Sequence, residues 1–407
     1  MKTYLVGGAV RDMLMGVASK DKDYVVVGAT QEDMLDLGFT KVGADFPVFF
    51  SYGGQEYALA RREKKTGKGY LGFESEFGVD VTLEEDLSRR DLTMNSIAFH
   101  VDGYAGYIDP FNGEDDIRNK VLRHTSDAFQ EDPVRVLRLA RFKARLGPDW
   151  TVAPETKEMV YNMAKKGVLD ELQAERVWKE MSRALMEDHP RLFFDTLLEC
   201  DALHVVFPEI YRLKTALESI RWHPEGDAFE HTMLVLTQAA KMGYGLEDRM
   251  AALCHDFGKG LTSRDKLPRH YGHDVNGVAV VDAFCDRLKV PSKMRDRLKK
   301  ATRYHMYMHR LDELNSKTFV KMFSDMDAWR DPDVVVTLWR LGICDERGRL
   351  GSENNNVGHL KKIVDIFSAA NDVKFGDVFP NGETNPNKIK EGMRKARTVA
   401  VSNVRKK

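Results

Sequence analysis

Two aspartates separated by one residue begin a valine run near the amino terminus, in the stretch SKDKDYVVVG. Because residues two apart in a β-strand point to the same face, Asp21 and Asp23 are expected to present their carboxylates side by side. Like charges at that distance repel unless a cation lies between them, and Mg²⁺ is commonly held by carboxylates together with substrate phosphates. The alternative is a solvated turn at Asp21, followed by a strand that begins at Asp23.

A glycine pair and an arginine precede these aspartates in LVGGAVRD. The pattern predicts a strand, a Gly-Gly turn, and a helix from about Ala9. Gly7 and Gly8 would let the backbone approach a triphosphate closely, while the helix start and Arg11 would offer N–H groups and positive charge to its oxygens. Glycines, arginine and aspartates together supply the parts of a metal–triphosphate site.

The order GGAVRD, then DKD, resembles the class II tRNA nucleotidyltransferase and poly(A) polymerase family of the DNA polymerase β-like nucleotidyltransferase superfamily. Three further family elements follow in register: RRDLTMN at 89–95, DPFNGEDDIRNKVLR at 109–123 and EDPVRVLR at 131–138. Ser96 departs from the family's alanine at a position without a catalytic role. The resemblance implies an α+β head, with a small mixed sheet and helices.

The resemblance also implies nucleotidyl transfer to an RNA 3′-hydroxyl, with loss of pyrophosphate. Metal ions at Asp21 and Asp23 would activate the attacking oxygen and stabilise the leaving one. Glu56 is a candidate third carboxylate, and its alternative is an exposed strand residue. The nucleotide-binding positions that the resemblance implies in the head are Gly8, Arg11, Arg90, Asp91 and Asn95.

The element EDPVRVLR combines a helix start with hydrogen-bonding groups for a base. Asp132 before Pro133 is typical of a helix N-terminus, which alone accounts for both residues. Arg135 and Arg138 follow three residues apart on one helix face. A carboxylate only accepts hydrogen bonds and a guanidinium only donates them, so the pair suits cytosine and adenine. In the family these positions select CTP and ATP without a template, and Glu131 would orient its neighbours.

Seven of the twelve histidines lie between His223 and His309. The series H…HD…D, with HDFGKG at its centre, resembles the HD-domain phosphohydrolases. Any single histidine is explained as an ordinary helix-surface or core residue. The set, however, favours a hydrolytic site that binds a second divalent metal ion, a transition metal. The expected ligands are His231, His255, Asp256 and Asp345, with His305 as a further candidate.

The combination of this head with an HD domain resembles the bacterial CCA-adding enzymes that also hydrolyse phosphate ends such as 2′,3′-cyclic phosphates. GKGLTSRDKLPRHYGH favours that group over poly(A) polymerases. Short β-branched runs predict the α+β head over 1–131, and three- and four-residue apolar spacing predicts an all-α neck and body over 132–220. An all-α HD domain is expected over 221–350 and a basic segment over 351–407.

Composition limits the remaining possibilities. No stretch reaches the roughly eighteen apolar residues of a membrane-spanning helix, and the amino terminus lacks a signal pattern, so a cytoplasmic protein is expected. Four scattered cysteines predict reduced core residues rather than disulfides. The net charge is −1, but the end of the chain, from Asn385, is strongly basic. It is interpreted either as an RNA-contacting helix or as a solvated tail.

The sequence therefore predicts an enzyme that adds C, C and A to tRNA from CTP and ATP with Mg²⁺, together with a phosphohydrolase activity in the HD domain. One alternative is a poly(A) polymerase or an enzyme that adds only A or only C. A second is an HD phosphohydrolase whose head merely binds tRNA. A catalytically silent RNA-binding protein is disfavoured by the intact carboxylates.

Overall fold

The computed structural model describes residues 1–19, 21–42, 48–65, 73–101 and 106–405. These residues form two compact units. The first comprises Met1–Ala184 with Leu192–Val206, and the second comprises Leu185–Arg191 with Phe207–Lys407. The finer division into four domains stays a prediction.

The first unit begins with a mixed sheet. Its strands are β1 (Lys2–Val6), β2 (Asp23–Val27), β3 (Thr40–Val42), β4 (Val48–Phe50), β5 (Glu56–Leu59), β6 (Arg61–Lys65), β7 (Phe73–Phe77), β8 (Ala98–His100) and β9 (Tyr107–Ile108). Within the described ranges, seven strands pair in the order β3-β4-β5-β2-β1-β8-β9, while β6 and β7 form a separate hairpin. The β2–β5 pair is parallel and the other pairs are antiparallel. The predicted small mixed sheet is confirmed.

The valine run of β2 is explained by burial on both faces of this sheet. Val25 packs with Val6 and Leu87 on one side, whereas Val26 packs with Met34 and Phe49 on the other. A strand covered on both faces reads as a continuous apolar run rather than an alternating one. The sheet thus holds β2 rigidly, with Asp23 at its first position.

Short helices surround the sheet: α1 (Gly8–Leu14), α2 (Gln31–Asp36), α3 (Leu83–Ser88) and α4 (Gly113–Asn119). Capping boxes begin both α2 and α3, where Thr30 and Thr82 exchange hydrogen bonds with Asp33 and Glu85. Such reciprocal bonds satisfy backbone N–H groups that a helix start leaves unpaired. Local sequence therefore fixes where these helices begin.

The helical part of the first unit follows, as predicted. It contains α5 (Val134–Leu146), α6 (Pro154–Lys165), α7 (Ala174–Met186), α8 (Arg191–Glu199) and α9 (Leu203–Val206). The all-α expectation was wrong in one detail, because β10 (Val121–Leu122) pairs in parallel with β11 (Thr151–Val152). Strands of two residues are too short to give an alternating pattern, so the sequence carried no sign of this ladder.

In the described part of the second unit the regular elements are helices, and Leu217 and Asp227 form an isolated β-bridge. Its helices are α10 (Pro208–Tyr211), α11 (Ala228–Lys241), α12 (Leu246–Cys254), α13 (His273–Arg287), α14 (Ser292–Met308), α15 (Ser316–Asp325), α16 (Asp333–Arg347), α17 (Lys362–Asn371), α18 (Phe375–Val378) and α19 (Pro386–Arg405). All four cysteines of the chain are buried and free, which confirms that expectation. Among the described residues, no helix combines the length and apolar character needed to cross a bilayer.

The basic segment contains α17 and α18, and its strongly basic part from Asn385 is mostly the twenty-residue helix α19, which packs against α15 and α17. Val401 is fully buried, and the Arg397 guanidinium lies 3.7 Å from the ring centroid of Trp329. The segment is therefore a docked helix with an exposed basic face.

Candidate active sites

A cavity of about 850 Å³ in the first unit gathers residues from all the motif stretches except the 109–123 element. Residues that line it include the predicted head positions Gly8, Arg11, Asp21, Asp23, Arg90, Asp91, Asn95, Asp132, Arg135 and Arg138. Residues separated by more than a hundred positions in the chain thus face one space. Glu56 and Glu131 were also expected at this site and are not part of this lining.

The two aspartates reach the cavity from different kinds of backbone. Asp23 is the first residue of β2, whereas Asp21 precedes the strand, so the expectation that both stand on it was wrong for Asp21. Burial raises the pKa of Asp23 above its usual value, and the Asp21 charge adds to this while Arg90 opposes it. Burial and the neighbouring carboxylate both disfavour the negative charge of Asp23. A divalent cation would stabilise that charge, so the pair fits Mg²⁺.

Glu56 is the partner of Asp23 across the parallel pairing of β2 and β5. Residues in register on neighbouring strands share a face of the sheet, so Glu56 is placed near Asp23. Its side chain is exposed. Its role as a third carboxylate stays a prediction.

The turn before α1 brings an arginine close to the backbone. Gly7 has a φ of 69°, which favours glycine, and a Cβ at this position would lie 3.1 Å from Nη1 of Arg90. Arg90 is held in turn by the buried Asp86, with 3.0 Å between Nη2 and Oδ2. The first glycine of the motif therefore makes room for a cation beside the aspartates.

A chain of hydrogen bonds crosses the floor of the cavity. Arg11 Nη1 donates to Asn95 Oδ1 at 2.7 Å, and Asn95 Nδ2 donates to Asp91 Oδ1 at 2.9 Å. Arg138 Nε donates to Asp91 Oδ2 at 2.8 Å. Burial would raise the pKa of Asp91, but the positive charge of Arg138 together with the hydrogen bonds from Asn95, Arg138 and the Leu92 N–H outweighs it and lowers that pKa to about 2. The chain fixes the orientation of the Asn95 amide.

The opposite wall is the start of α5. Asp132 Oδ1 accepts the N–H of Val134, so the predicted helix-capping role is present. The same carboxylate accepts two hydrogen bonds from Arg176 of α7, at 2.9 and 2.7 Å. Arg135 is buried and donates Nη1 to the carbonyl oxygen of Ala128 at 2.5 Å. The side chains of Asp132 and Arg135, the two candidates for reading the base, are thus held in place by hydrogen bonds to Arg176 and Ala128.

Arg176 and Phe142 line the cavity but were missed in the sequence. The Phe142 ring lies under the guanidinium groups of Arg11, Arg138 and Arg141, whose central carbons are 5.0–5.8 Å from the ring centroid. Its spacing of four residues from Arg138 places it on the same helix face, a signal that was available. Arg176 had no local signal, because it contacts a residue 44 positions away.

The 109–123 element supports the cavity from behind. Asp109 accepts the N–H groups of Gly113 and Glu114 at the start of α4, each at 2.8 Å. A Cβ on Gly113 would lie 2.3 Å from the carbonyl oxygen of Thr93, so only glycine lets α4 approach the turn that carries Asn95. Asp116 adds a 2.7 Å hydrogen bond from the Thr93 hydroxyl. In this structure the element is packed directly behind Asn95.

A second cavity, of about 700 Å³, lies in the second unit and reaches a buried cluster of histidines and aspartates. His231 Nε2 is 3.1 Å from Asp345 Oδ1, and His255 Nε2 is 3.2 Å from Asp256 Oδ2. His231 Nε2 is also 3.8 Å from the same Asp256 oxygen. The structure thus brings together the four ligands expected from the sequence.

A further group of donors shares Asp256. Its Oδ1 lies 3.3 Å from His273 Nε2 and 3.5 Å from His305 Nε2, and the three side chains could hold a metal ion. His305 was expected here. His273 was not, although it falls in the histidine-rich region of the sequence.

The hydrogen bonds behind these rings leave lone pairs pointing inward. The Nδ1 atoms of His255, His273 and His305 lie 2.7–2.9 Å from backbone carbonyl oxygens, and a carbonyl can only accept. In a neutral ring, Nε2 is then an acceptor that faces acceptor carboxylates. Among the described atoms, His255 Nε2 and Asp256 Oδ1 are buried without a hydrogen-bond partner. Cations suit such a donor set, and a buried ring nitrogen with a fixed opposite side is typical of metal ligands.

Charges around the cluster show how strongly its carboxylates attract positive charge. Burial would lower the pKa of His231, but its bonds to Asp345 and Glu225 raise that pKa to about 9. Lys259 pairs with Asp256 at 2.7 Å and with Glu218 at 2.6 Å. Positive charge is therefore required beside these carboxylates, and a proton or a metal ion would supply it.

Three parts of the chain match known families. Residues 3–123 match the Poly A polymerase head domain, and residues 149–213 match the "Probable RNA and SrmB- binding site of polymerase A". Residues 228–369 match the HD domain. The first match includes Asp21 and Asp23 but ends before Asp132, and the third includes His231, His255, Asp256 and Asp345.

Whole-length relatives agree with this arrangement. The chain is 43% identical, over 98% of its length and 97% of the relative, to the Multifunctional CCA protein of Mannheimia succiniciproducens. The Thermotoga maritima CCA-adding enzyme complexed with tRNA is similar in structure, with a TM-score of 0.63, 18% identity, and coverage of 99% of this chain and 90% of that one. The Bacillus stearothermophilus CCA-adding enzyme in complex with CTP is also similar in structure, with a TM-score of 0.60 and 22% identity. The match covers 98% of this chain and 89% of that one. At these identities the two structures show a shared fold.

Proposed function

This chain belongs to the family of multifunctional CCA proteins, and we propose that it adds C, C and A to the 3′ end of tRNA from CTP and ATP. The observation that carries the proposal is one cavity with Asp21 and Asp23 in its lining together with the Asp132–Arg135–Arg138 wall. A nucleotide needs both, because its triphosphate must meet the metal-binding carboxylates while its base is selected.

Asp21 and Asp23 would hold Mg²⁺, which when bound activates the attacking hydroxyl and neutralises charge on the triphosphate. Arg90, which lies beside the Gly7 turn, would contact the phosphates. Arg11 already uses three nitrogens on Asp12 and Asn95, so its part in nucleotide binding is to fix Asn95. Asp91 and Asn95, locked by Arg138, would face the sugar.

Asp132 and Arg135 would read the base. Cytosine and adenine each present an exocyclic amine beside a ring acceptor, so the carboxylate accepts from the amine and the guanidinium donates to the ring. Arg176 holds the Asp132 carboxylate at two points and thereby orients it. No nucleic-acid template is needed for this choice.

Replacing the base-reading carboxylate tests the proposal. A tRNA that lacks its CCA end would be incubated with each of the four nucleoside triphosphates, using wild type, Asp132→Ala and the exposed control Asp115→Ala. Wild type and control should incorporate C from CTP alone among single nucleotides. Asp132→Ala should lose this preference. Unchanged preference in Asp132→Ala, or A incorporation alone by wild type, would contradict the proposal.

The tRNA would be held largely through its phosphates and shape, by the helical part of the first unit and by the basic face of α19. We infer that this activity is cytoplasmic, since tRNA, CTP and ATP are available there.

We also propose that the second cavity hydrolyses phosphate esters at RNA ends, including 2′,3′-cyclic phosphates. The buried cluster supports this, because His231, His255 and Asp345 could hold a metal ion and Asp256 lies 3.2 Å from His255. A divalent transition metal bound there would activate water and polarise the phosphate. Lys259 balances the charge of Asp256, and Glu218 holds Lys259 in place.

Metal binding to this cluster can be measured without turnover. Equilibrium dialysis with Ni²⁺, Mn²⁺ and Co²⁺ should give bound metal in wild type, and His255→Ala should lose it. Because His273 and His305 form a second donor group around Asp256, His305→Ala should lower the number of ions or their affinity. Equal binding by wild type and His255→Ala would contradict the assignment.

A further inference from the structure

We propose that Trp222 and Tyr271 form a base-binding platform in the second cavity, so that the site recognises the base of its substrate as well as the phosphate. The inference rests on the proposed hydrolase function and names two residues that would determine its specificity. Base recognition here would be by stacking, which every base permits.

Both aromatic side chains are unusually open to solvent. Trp222 is 60% exposed and Tyr271 is 81% exposed, yet both line the cavity that reaches Asp256, His273 and His305. A single exposed aromatic residue is ordinary, but two in the lining of one cavity indicate a surface for a flat, apolar ligand. Nucleobases have that shape.

The backbone holds Tyr271 in place although its ring is free. His270 and His273 flank it and are both buried, and His273 begins α13. The rings of His270 and His273 are tied to the carbonyl oxygens of Leu217 and His270. These bonds anchor the chain on either side of Tyr271 and so fix where its ring lies at the cavity.

Trp222 is positioned by a turn and by a cation. The backbone N–H of Trp222 donates to the carbonyl oxygen of Ser219 at 2.9 Å. The Arg221 guanidinium carbon lies 4.9 Å from the centroid of the Trp222 ring. Arg221 does not line the cavity, whereas Trp222 does. A cation over one face of an indole leaves the other face for a base.

Positive side chains in the same lining suit the phosphate. The carboxylates of the cluster alone would repel an anion, but Arg310 and Arg349 also line the cavity. Arg349 reaches the cluster through His309, whose Nε2 is 2.8 Å from Asp345. The lining thus contains rings for a base, guanidinium groups for a phosphate, and donors for a metal. A cavity of about 700 Å³ is within the usual range for a small-molecule site.

Two substrates separate base recognition from phosphate chemistry. Adenosine 2′,3′-cyclic phosphate and glycerol 1,2-cyclic phosphate share a five-membered cyclic phosphodiester, but only the first has a base. For Trp222→Leu and for Tyr271→Leu, kcat/KM for the nucleotide should fall by about tenfold or more, mainly through KM, because stacking on one ring is lost. Hydrolysis of the glycerol compound should change less than about twofold.

Matched variants exclude a general structural effect. Trp222→Phe and Tyr271→Phe keep a ring and should retain most of the nucleotide preference. Ile220→Ala removes an exposed apolar side chain near Trp222 that does not line the cavity, and it should behave as wild type. Equal losses on both substrates in the leucine variants, or no loss on either, would overturn the platform.

Binding gives a readout that is independent of turnover. Calorimetry with adenosine 2′-phosphate and glycerol 2-phosphate should show tighter binding of the nucleotide, and this advantage should vanish in the leucine variants. If wild type hydrolyses neither cyclic compound with any divalent metal, the hydrolase proposal fails. The platform fails separately if the nucleotide binds no better than the glycerol compound.

Discussion

Arg176 and Asp132 are joined by two parallel hydrogen bonds, Nη1 to Oδ1 at 2.9 Å and Nη2 to Oδ2 at 2.7 Å. Arg176 stands on α7 and Asp132 at the start of α5, so the pair fixes the carboxylate relative to two helices. A fork of this kind determines the plane of the carboxylate as well as its position.

Arg176→Ala should therefore weaken base selection more than phosphate binding. Loss of a charge-assisted bond of about 1.5–3 kcal/mol predicts a fall of roughly ten- to a hundredfold in kcat/KM for CTP. The ratio of CTP to UTP use should fall as well, since a carboxylate that turns freely no longer favours the amine. Steady-state kinetics with both nucleotides provides the measurement. Arg118→Ala, which breaks an exposed ion pair with Asp115, is the control and should leave the ratio unchanged.

The buried Asp91–Arg138 pair predicts a pH dependence of stability. Despite the opposing effect of burial, the charge of Arg138 and the hydrogen bonds from Arg138, Asn95 and the Leu92 N–H lower the pKa of Asp91 to about 2. The stabilising effect of the ionised carboxylate is therefore complete above the unfolded pKa of about 3.9. This stabilisation is lost as the pH falls toward the pKa of Asp91 in the folded protein. The shift corresponds to about 2 kcal/mol above pH 5.

Urea unfolding of wild type and Asp91→Asn measures this effect. The difference between their midpoints should be constant between pH 5 and 7 and shrink below about pH 4. A difference that grows on acidification would contradict the assigned ion pair.

Salt dependence tests the contribution of phosphates to tRNA binding. Each neutralised phosphate releases counterions, so the affinity for tRNA should fall steeply between about 50 and 200 mM KCl. Lys390→Gln combined with Arg394→Gln, on α19, should make that slope shallower if this helix contacts the RNA. Filter binding over a salt series gives the slopes. An affinity that does not respond to salt would contradict binding through the backbone.

The two activities should be separable, because each site is complete within its own unit. Asp23→Ala should abolish nucleotide addition, by at least about a thousandfold, and leave hydrolysis of a cyclic phosphate unchanged. His255→Ala should do the reverse. Both rates would be measured on the same preparations with Mg²⁺ and Ni²⁺. Loss of both activities in either variant would show that the sites are not independent.

The sequence predicted those parts of the site that lie close together in the chain. Gly8, Arg11 and Asp23 belong to short motifs whose local geometry follows from strand and helix periodicity. Arg176 could not be found in this way, because its contact with Asp132 depends on how α7 packs beside α5. The same limit applied to His273, whose place beside Asp256 is decided by the packing of α13.

Local structure also corrected one inference made from spacing. Asp21 and Asp23 were expected on one strand, but β2 begins only at Asp23. Asp21 and Lys22 lie before the strand, so only one of the two carboxylates, that of Asp23, belongs to the sheet. The functional expectation does not depend on that detail, since both side chains line the same cavity.

The most direct test of the central claim is the sequence of the product formed on a tRNA without its CCA end. Wild type with Mg²⁺, CTP and ATP should add C, C and A and then stop, and Asp21→Ala should add nothing. His255→Ala is the matched control and should add CCA as wild type does. Runs of A, addition of C alone, or CCA addition by Asp21→Ala would contradict the account.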